Sequence, residues 1–488
     1  MLKRSALACI AVLSVSLPCF AGVAGQGGDI TPPLTVQWVF SMGPDPLNTG
    51  KPVIKDDVVY VSHRGIAHCL DSITGGEKWQ FKPENAAVTT APVPHGDLVI
   101  VGANDGSVHA LNAGTGSVVW KFICAGPIAP DPIILNDMLV VGAGQLVYTL
   151  NPSTGVAGWV CSLQATAREG PVTDGTMVYF LATDGSVQCV DAIAGRYRWG
   201  TLLTAGLRTF RPLVAGGRVI VASGNRVYGV ARSGAVAWTA EMPAGVGAAP
   251  LVADEYLLVP CADGEIYTLV ARSGGPQRHM NYKLEHPLTS TPAVTDTSLA
   301  IGTGEGLVLT LDRATGRPNW VYRCRGMDQL PYEASPFGIY APLLVAEGSL
   351  YCLVGSGDLY RFSAAAPDLS GPVFGDFLPE PGSARPGGGY VYSQCSIVDD
   401  GTGVDPSSIS ATLDGAPAPV SFDIVTGVAS LRDTMLPDGS HIVRVTAKDL
   451  RGNEASTEWS FVTDVGLMPT PEQGMAGRAG TGAVGPVF

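Results

Sequence analysis

The sequence predicts an all-β chain: an eight-bladed β-propeller closed by its own N-terminal strand, followed by a smaller second β-domain. Three observations carry that expectation. Tryptophans recur at a fixed period, a proline followed by an apolar residue recurs at the same period, and turn residues separate short apolar runs. The tryptophans are Trp38, Trp79, Trp120, Trp159, Trp199, Trp238 and Trp320, separated by 41, 41, 39, 40, 39 and 82 residues. The last gap is a doubled period, with Arg278 standing where a tryptophan is missing. A period of about forty residues marks a repeat in which each unit buries its face against its neighbours.

The second repeat shows what one unit contains. Pro92-Val93 opens a strand, Leu98–Gly102 forms the next, and Asn104-Asp105-Gly106 turns. Val108–Leu111 is a third strand, Asn112 to Gly116 turns again, and Trp120-Lys121-Phe122 begins a fourth. Apolar runs punctuated by Asx and Gly are strand–hairpin signals, so each unit reads as a four-stranded antiparallel meander. The proline row is Pro52, Pro92, Pro132, Pro171, Pro212, Pro250, Pro292 and Pro342. Proline is tolerated at the first position of a strand. The turn before the fourth strand repeats as Asp71 to Gly75, Asn151 to Gly155 and Asp312 to Gly316, where Asx caps the turn and Gly accepts a positive φ. Eight prolines give eight units, yet the last lacks a fourth strand and Trp38-Val39-Phe40 is a fourth strand with no unit before it. Ring closure by the N-terminal strand solves both, and it removes two exposed edges.

The motif A-x-[DN]-x-x-T-G-x-x-x-W in this repetition resembles the pyrroloquinoline-quinone-type propeller repeat, over about residues 33–365 of a propeller domain expected at 33–370. That resemblance implies structural tryptophans that dock neighbouring blades. It also implies two functional branches: quinoprotein dehydrogenases that use the quinone with calcium, and cofactor-free scaffolds such as the outer-membrane assembly factor BamB. The dehydrogenase branch carries an adjacent cysteine pair over the quinone, and no Cys-Cys pair occurs in this chain. No G-x-S-x-G, H-E-x-x-H or P-loop pattern occurs either. His68 and His109 occupy a slot that elsewhere holds Tyr148, Gln188, Tyr228, Tyr267, Leu309 and Tyr360, which reads as a packing position. His63 falls at a turn and reads as solvated.

Downstream, the prolines and glycines of 371–390 read as a linker. Residues 391–466 show short alternating strands whose turns resemble those of bacterial immunoglobulin-like modules, and 467–488 read as a disordered tail. Residues 1–25 read as a secretory signal, with Lys3 and Arg4 ahead of an apolar stretch too short to span a bilayer. Ser16-Leu17-Pro18 before Cys19 is a poor lipobox, which favours a cleaved soluble product. Export predicts a periplasmic or extracellular, envelope-associated home. The composition, 46% hydrophobic and 15% charged, excludes a disordered chain. Without Lys3 and Arg4, 28 basic residues face 43 acidic ones, which argues against nucleic acid and anionic lipid as partners. The eight remaining cysteines show no metal-type spacing and read as buried thiols within strands.

Two departures from the repeat are candidate partner contacts. One is the basic–aromatic stretch Leu207, Arg208, Phe210 and Arg211; BamB grips its partner with a Leu/Arg-bearing loop in a comparable connection. The other is the 325–340 insertion with Tyr332 and Phe337. In the second domain, Asp399, Asp400 and Asp405 are a candidate calcium set. The sequence thus predicts an exported, monomeric, non-catalytic scaffold without cofactor. It would bind an envelope protein, with the outer-membrane assembly machinery as the sharpest version and a glycan as another partner class. The alternative is a dehydrogenase using pyrroloquinoline quinone and calcium.

Overall fold

The structure is a computed structural model. It describes residues 29–467 apart from 45–49, 204–209, 278–281, 285, 325–337, 365–366, 388–389 and 432–434. The expected signal stretch and, Leu467 apart, the tail lie outside the described residues. So does Arg278.

Up to Ser363, the described strands form eight four-stranded antiparallel sheets. Seven are meanders in chain order, the first being Val53–Lys55, Val58–His63, Ile66–Asp71 and Glu77–Phe81. The eighth is completed from the other end of the chain. Thr35–Ser41 pairs with Asp358–Ser363, placing Trp38 opposite Arg361, Val39 opposite Tyr360 and Phe40 opposite Leu359. This N-terminal closure agrees with the sequence expectation, and it gives the edge of Asp358–Ser363 its partner strand.

Middle strands are buried on both faces, as in Leu98–Gly102 and Ser107–Asn112, because each sheet is covered by the sheets before and after it. Fourth strands are half exposed. Val118–Ile123 and Val236–Glu241 alternate outward and inward, which puts them at the rim and the proline-led first strands at the axis.

Neighbouring sheets are joined by one repeated contact. At five boundaries the fourth-strand indole lies against the glycine of the next sheet's outer turn and donates its N–H to a carbonyl in that turn. Trp38 donates to Ser72 O (2.9 Å), Trp79 to Ala113 O (2.9 Å), Trp120 to Pro152 O (3.1 Å), Trp159 to Ala192 O (3.2 Å) and Trp199 to Arg232 O (2.9 Å). A Cβ on Gly75 would stand 2.6 Å from Trp38, and one on Gly155 2.6 Å from Trp120. Both glycines also have positive φ. The turn therefore needs glycine for backbone angle and for space.

Trp238 packs in the same way on Gly274, but its indole N–H finds no acceptor. Where Arg278 marked the missing tryptophan, Tyr282 takes over, four residues later. Its hydroxyl donates to Arg313 O (3.2 Å) and its ring covers Gly316. A tyrosine with a longer reach replaces the indole, so the contact is retained although the period is broken.

The histidine slot is a packing row. Phe40 meets His68, Phe81 meets His109 and Phe122 meets Tyr148, each across one sheet boundary. His63, expected to be solvated, is buried, with Nε2 against Gly43 O (2.7 Å).

The remaining strands form a two-sheet sandwich. One sheet orders Val373–Leu378, Ser393–Val398, Val428–Leu431 and Val420–Asp423; the other contains Ala384–Pro386, Glu454–Asp464, Gly439–Asp449, Val404–Leu413 and Ala416–Ala418. Cys395, Ile397 and Leu431 of the first face pack on Val443, Val445, Trp459 and Phe461 of the second. The 371–390 linker expectation is corrected here. Val373 pairs with Val398 and Ala384 with Val462, so the sandwich begins well before residue 391. Pro379 and Pro381 sit in the turn between two edge strands, where a missing N–H costs no ladder bond, and such a turn has the composition of a linker.

Gly155→Ala is expected to lower stability by about 2–3 kcal/mol, since a strained φ is joined by a clash with Trp120. Gly96→Ala, at a positive φ with open space around it, should lose only about 1 kcal/mol. Urea denaturation of the two variants reads the difference; equal losses would show that the indole contact does not constrain that glycine.

Candidate functional site

The residue before each strand-opening proline lines the axis. The row reads Lys51, Ala91, Asp131, Gly170, Arg211, Ala249, Thr291 and Ala341. Three of the eight are charged, and they stand two repeats apart with alternating sign. The structure brings these three together. Asp131 Oδ2 accepts from Lys51 Nζ and from Arg211 Nη1 (3.4 Å), while Asp131 Oδ1 accepts from Ala91 N (2.8 Å). Arg211 Nη2 also donates to Pro171 O (3.1 Å). Units one and five face each other across a ring of eight, so Lys51 and Arg211 reach inward from opposite sides to one carboxylate.

The side chains are 29%, 11% and 18% exposed for Lys51, Asp131 and Arg211. Burial acts to raise the Asp131 pKa, but Lys51 and Arg211 hold it below the usual carboxylate range. Glu169, from unit four, faces the same group. Burial pushes it up against the pull of Lys51, and the repulsion of Asp131 adds to the rise. The channel is thus crossed by a compact, nearly balanced charge cluster.

Of the residues expected to contact a partner, Arg211 belongs to this cluster and does not point to solvent. Phe210 packs at the edge of an apolar cluster with Met242 and Val246, and its N–H donates to Ala222 O (3.3 Å). Leu207, Arg208, Tyr332 and Phe337 lie outside the described residues.

The acidic set of the second domain is also rearranged. Asp399 stands with Asp368 and Asp449, their carboxylate oxygens all within 4.8 Å of one another. Asp400 is exposed, and Asp405 caps its own turn by accepting from Ser407 N (2.9 Å). Neither joins the cluster, because the turn directs Asp399 inward and Asp400 outward. Asp368 accepts from Thr402 N (2.7 Å), Asp399 from Gly403 N (2.7 Å), and Asp449 from Asn453 N (2.8 Å). Burial first, then the neighbouring Asp368 and Asp449, pushes Asp399 up to about 6 against the Gly403 hydrogen bond.

This cluster sits where the sandwich meets the ring. The eighth sheet has no outer turn of its own, since its fourth strand comes from the N-terminus. Trp320 of the seventh sheet instead donates to Thr402 O (3.0 Å) and is 2% exposed. Val36 N donates to Gly401 O (3.2 Å), and Arg323 Nη1 to Thr426 O (2.9 Å). Asp399-Asp-Gly-Thr402-Gly403 repeats the D-x-x-T-G pattern of the propeller turns. That motif was present in the sequence, but the tryptophan it meets is set by the packing.

Among the described residues, no helix is long and apolar enough to cross a membrane. The eight sheets, their closure and the indole contacts define a repeat-built β-propeller with a covered axial channel. The chain belongs to the family described as outer membrane protein assembly factor BamB, whose model matches residues 34–142 and 143–281. It is similar to BamB of Shewanella oneidensis, at 25% identity over 284 residues, 54% of this chain and 67% of that protein. Among solved structures, BamB from Moraxella catarrhalis superposes with a TM-score of 0.52 at 17% identity, covering 68% of this chain and 99% of that one. A quinohemoprotein alcohol dehydrogenase from Comamonas testosteroni superposes with a TM-score of 0.53 at 13% identity, covering 71% and 78%. Both superpositions speak for the fold.

Asp131→Asn should cost about 3 kcal/mol, because Lys51 and Arg211 are left facing each other over a neutral amide. The shift of the denaturation midpoint measures it, and an unchanged midpoint would show that the cluster is solvated. Asp399→Asn should raise stability at pH 7 by about 2 kcal/mol, from a raised pKa of roughly two units. Because the folded pKa lies above the unfolded value, the protonated form stabilises the fold at low pH. That contribution is lost as pH rises from about 4 to 6. Thermal melts across this window should slope downward in the parent and lie flatter in the variant.

Proposed function

We propose that this chain is an exported, non-catalytic scaffold of the cell envelope that presents its propeller to a protein partner in the outer-membrane assembly machinery. The observation that carries this reading is the family match over residues 34–281 of the propeller. The closed ring supports it: indole contacts at nearly every boundary give a rigid body whose connections can be offered to a partner without ordering cost. The sandwich, read as an immunoglobulin-like module, extends that body from the seam.

The channel chemistry speaks against a quinone enzyme. Calcium takes six to eight oxygen ligands. Asp131 already commits its oxygens to two cations and a backbone N–H, and Lys51 and Arg211 add positive charge where a divalent cation would have to sit. The described channel residues therefore do not suit the calcium that accompanies the quinone, and no reaction step is assigned to it.

The test is crosslinking in intact cells followed by identification of what co-purifies. Proteins of the outer-membrane assembly machinery should be captured, and Leu207→Glu with Arg208→Glu should reduce capture at least several-fold. Arg211→Glu should act through lower stability. Capture of no envelope protein, or dye reduction by the chain loaded with pyrroloquinoline quinone and calcium, would overturn the reading.

A further inference from the structure

The described residues hold eight cysteines, all buried. Cys324 and Cys352 differ from the other six in their relation to each other. Cys324 follows the fourth strand of the seventh sheet, Pro318–Arg323, and Cys352 lies in Ser349–Leu353 of the eighth. Both are 0% exposed within one apolar cluster that includes Val308, Tyr322, Ile339 and Tyr360. They are the two cysteines that share one buried cluster, each of the other six lying in a different cluster, and the Cys324 thiol interacts with that of Cys352 across the boundary between the two sheets. Each backbone is held independently: Cys324 N donates to Gly306 O (3.0 Å), and Cys352 pairs with Tyr360 in its sheet. Two sulfurs are therefore brought together from separate strands within one apolar cluster.

We propose that Cys324 and Cys352 are joined by a disulfide in the mature protein, a covalent staple across the seam between the seventh and eighth sheets. This rests on the export reading above, since a reducing compartment keeps such thiols free. Each sulfur gives up its hydrogen, one S–S bond forms, and two electrons pass to a donor disulfide, which is cleaved to two thiols. In the closed ring neither sulfur is reachable by such a donor. Burial, and the neighbouring Cys352, also hold the Cys324 thiol well above its ordinary pKa, so little thiolate is available for exchange. The bond therefore forms while the chain is folding and is shielded afterwards.

The placement has a structural consequence. The residues between the two cysteines include 325–337, the longest departure from the repeat. A crosslink over that interval restricts the unfolded chain more than a short one would. It also anchors both flanks of the candidate contact segment to the ring.

The experiment uses the mature chain from two sources: recovered from the cell envelope, and refolded from the reduced state in a buffer of reduced and oxidised glutathione. Each sample is denatured without reductant, alkylated, weighed intact and mapped by peptide. Two of the eight thiols should resist alkylation until reduction, and one linked peptide pair should contain Cys324 and Cys352. In Cys352→Ser, Cys324 should become alkylated and the unfolding midpoint should fall; if that variant does not fold, the parent's peptide map decides. Eight alkylated thiols in the refolded parent, or a link between other cysteines, would overturn the pairing wherever the protein resides. A linked pair after refolding, in a chain that fractionates outside the envelope, would overturn the export reading and leave the pairing intact.

Discussion

The ring depends on an indole lying flat on a glycine of the next sheet. Each four-stranded sheet has two apolar faces and cannot bury both alone, so stability comes from the boundaries. The indole covers a large apolar area at each boundary, and its N–H satisfies a carbonyl that the turn would otherwise leave to water. The glycine is the receptor for it. Residues 71–75 and 112–116 have this geometry because Asx closes the turn and Gly turns the backbone through positive φ, leaving a flat space where a side chain would stand. Tyr282 shows that another aromatic can fill the place, and Trp238 that the packing persists without the N–H bond.

The same requirement explains how the second domain is attached. Closure by an N-terminal strand leaves the eighth sheet without an outer turn, and Trp320 without its usual receptor. The sandwich supplies Thr402 O and seals Trp320 more completely than the tryptophans of the first two boundaries, Trp38 at 9% and Trp79 at 8% exposed. The loop that does this is drawn tight by Asp399, whose inward carboxylate is placed beside Asp368 and Asp449. A residue set that looks like a separate acidic patch is thus part of a junction. Attachment of the sandwich and the electrostatics of that loop are one arrangement, with the repulsion among three carboxylates as its cost.

The axis follows a different logic. Its first strands are short and their side chains converge, so residues far apart in sequence meet. Lys51, Asp131 and Arg211 form a bridge across the channel, and Glu169 borders it. This filling of the axis by charge is consistent with a propeller that acts through its exterior. It also removes Arg211 from the surface on which its position in a basic–aromatic stretch had placed it.

Much of the fold was legible before any coordinates. The forty-residue period of Trp38 to Trp238, the proline row and the D-x-x-T-G turns are local signals, and each is enforced at one boundary by a residue that cannot be exchanged freely. Closure was legible as well, because a surplus strand at one end matched a missing strand at the other. The sites were less so. The sequence could not show that residues 80 positions apart share one carboxylate, since that follows from the curvature of the ring. Nor could it show that Asp399 joins Asp368 and Asp449 and leaves Asp400 and Asp405 aside. The prolines of 371–390 misled for a related reason: turns between edge strands and true linkers have the same composition. Periodicity along the chain determined the sheets and their order. Only the three-dimensional packing decided which charged groups meet at the axis, which thiols lie together at the seam and which loop receives Trp320, because those contacts join residues that no local pattern relates.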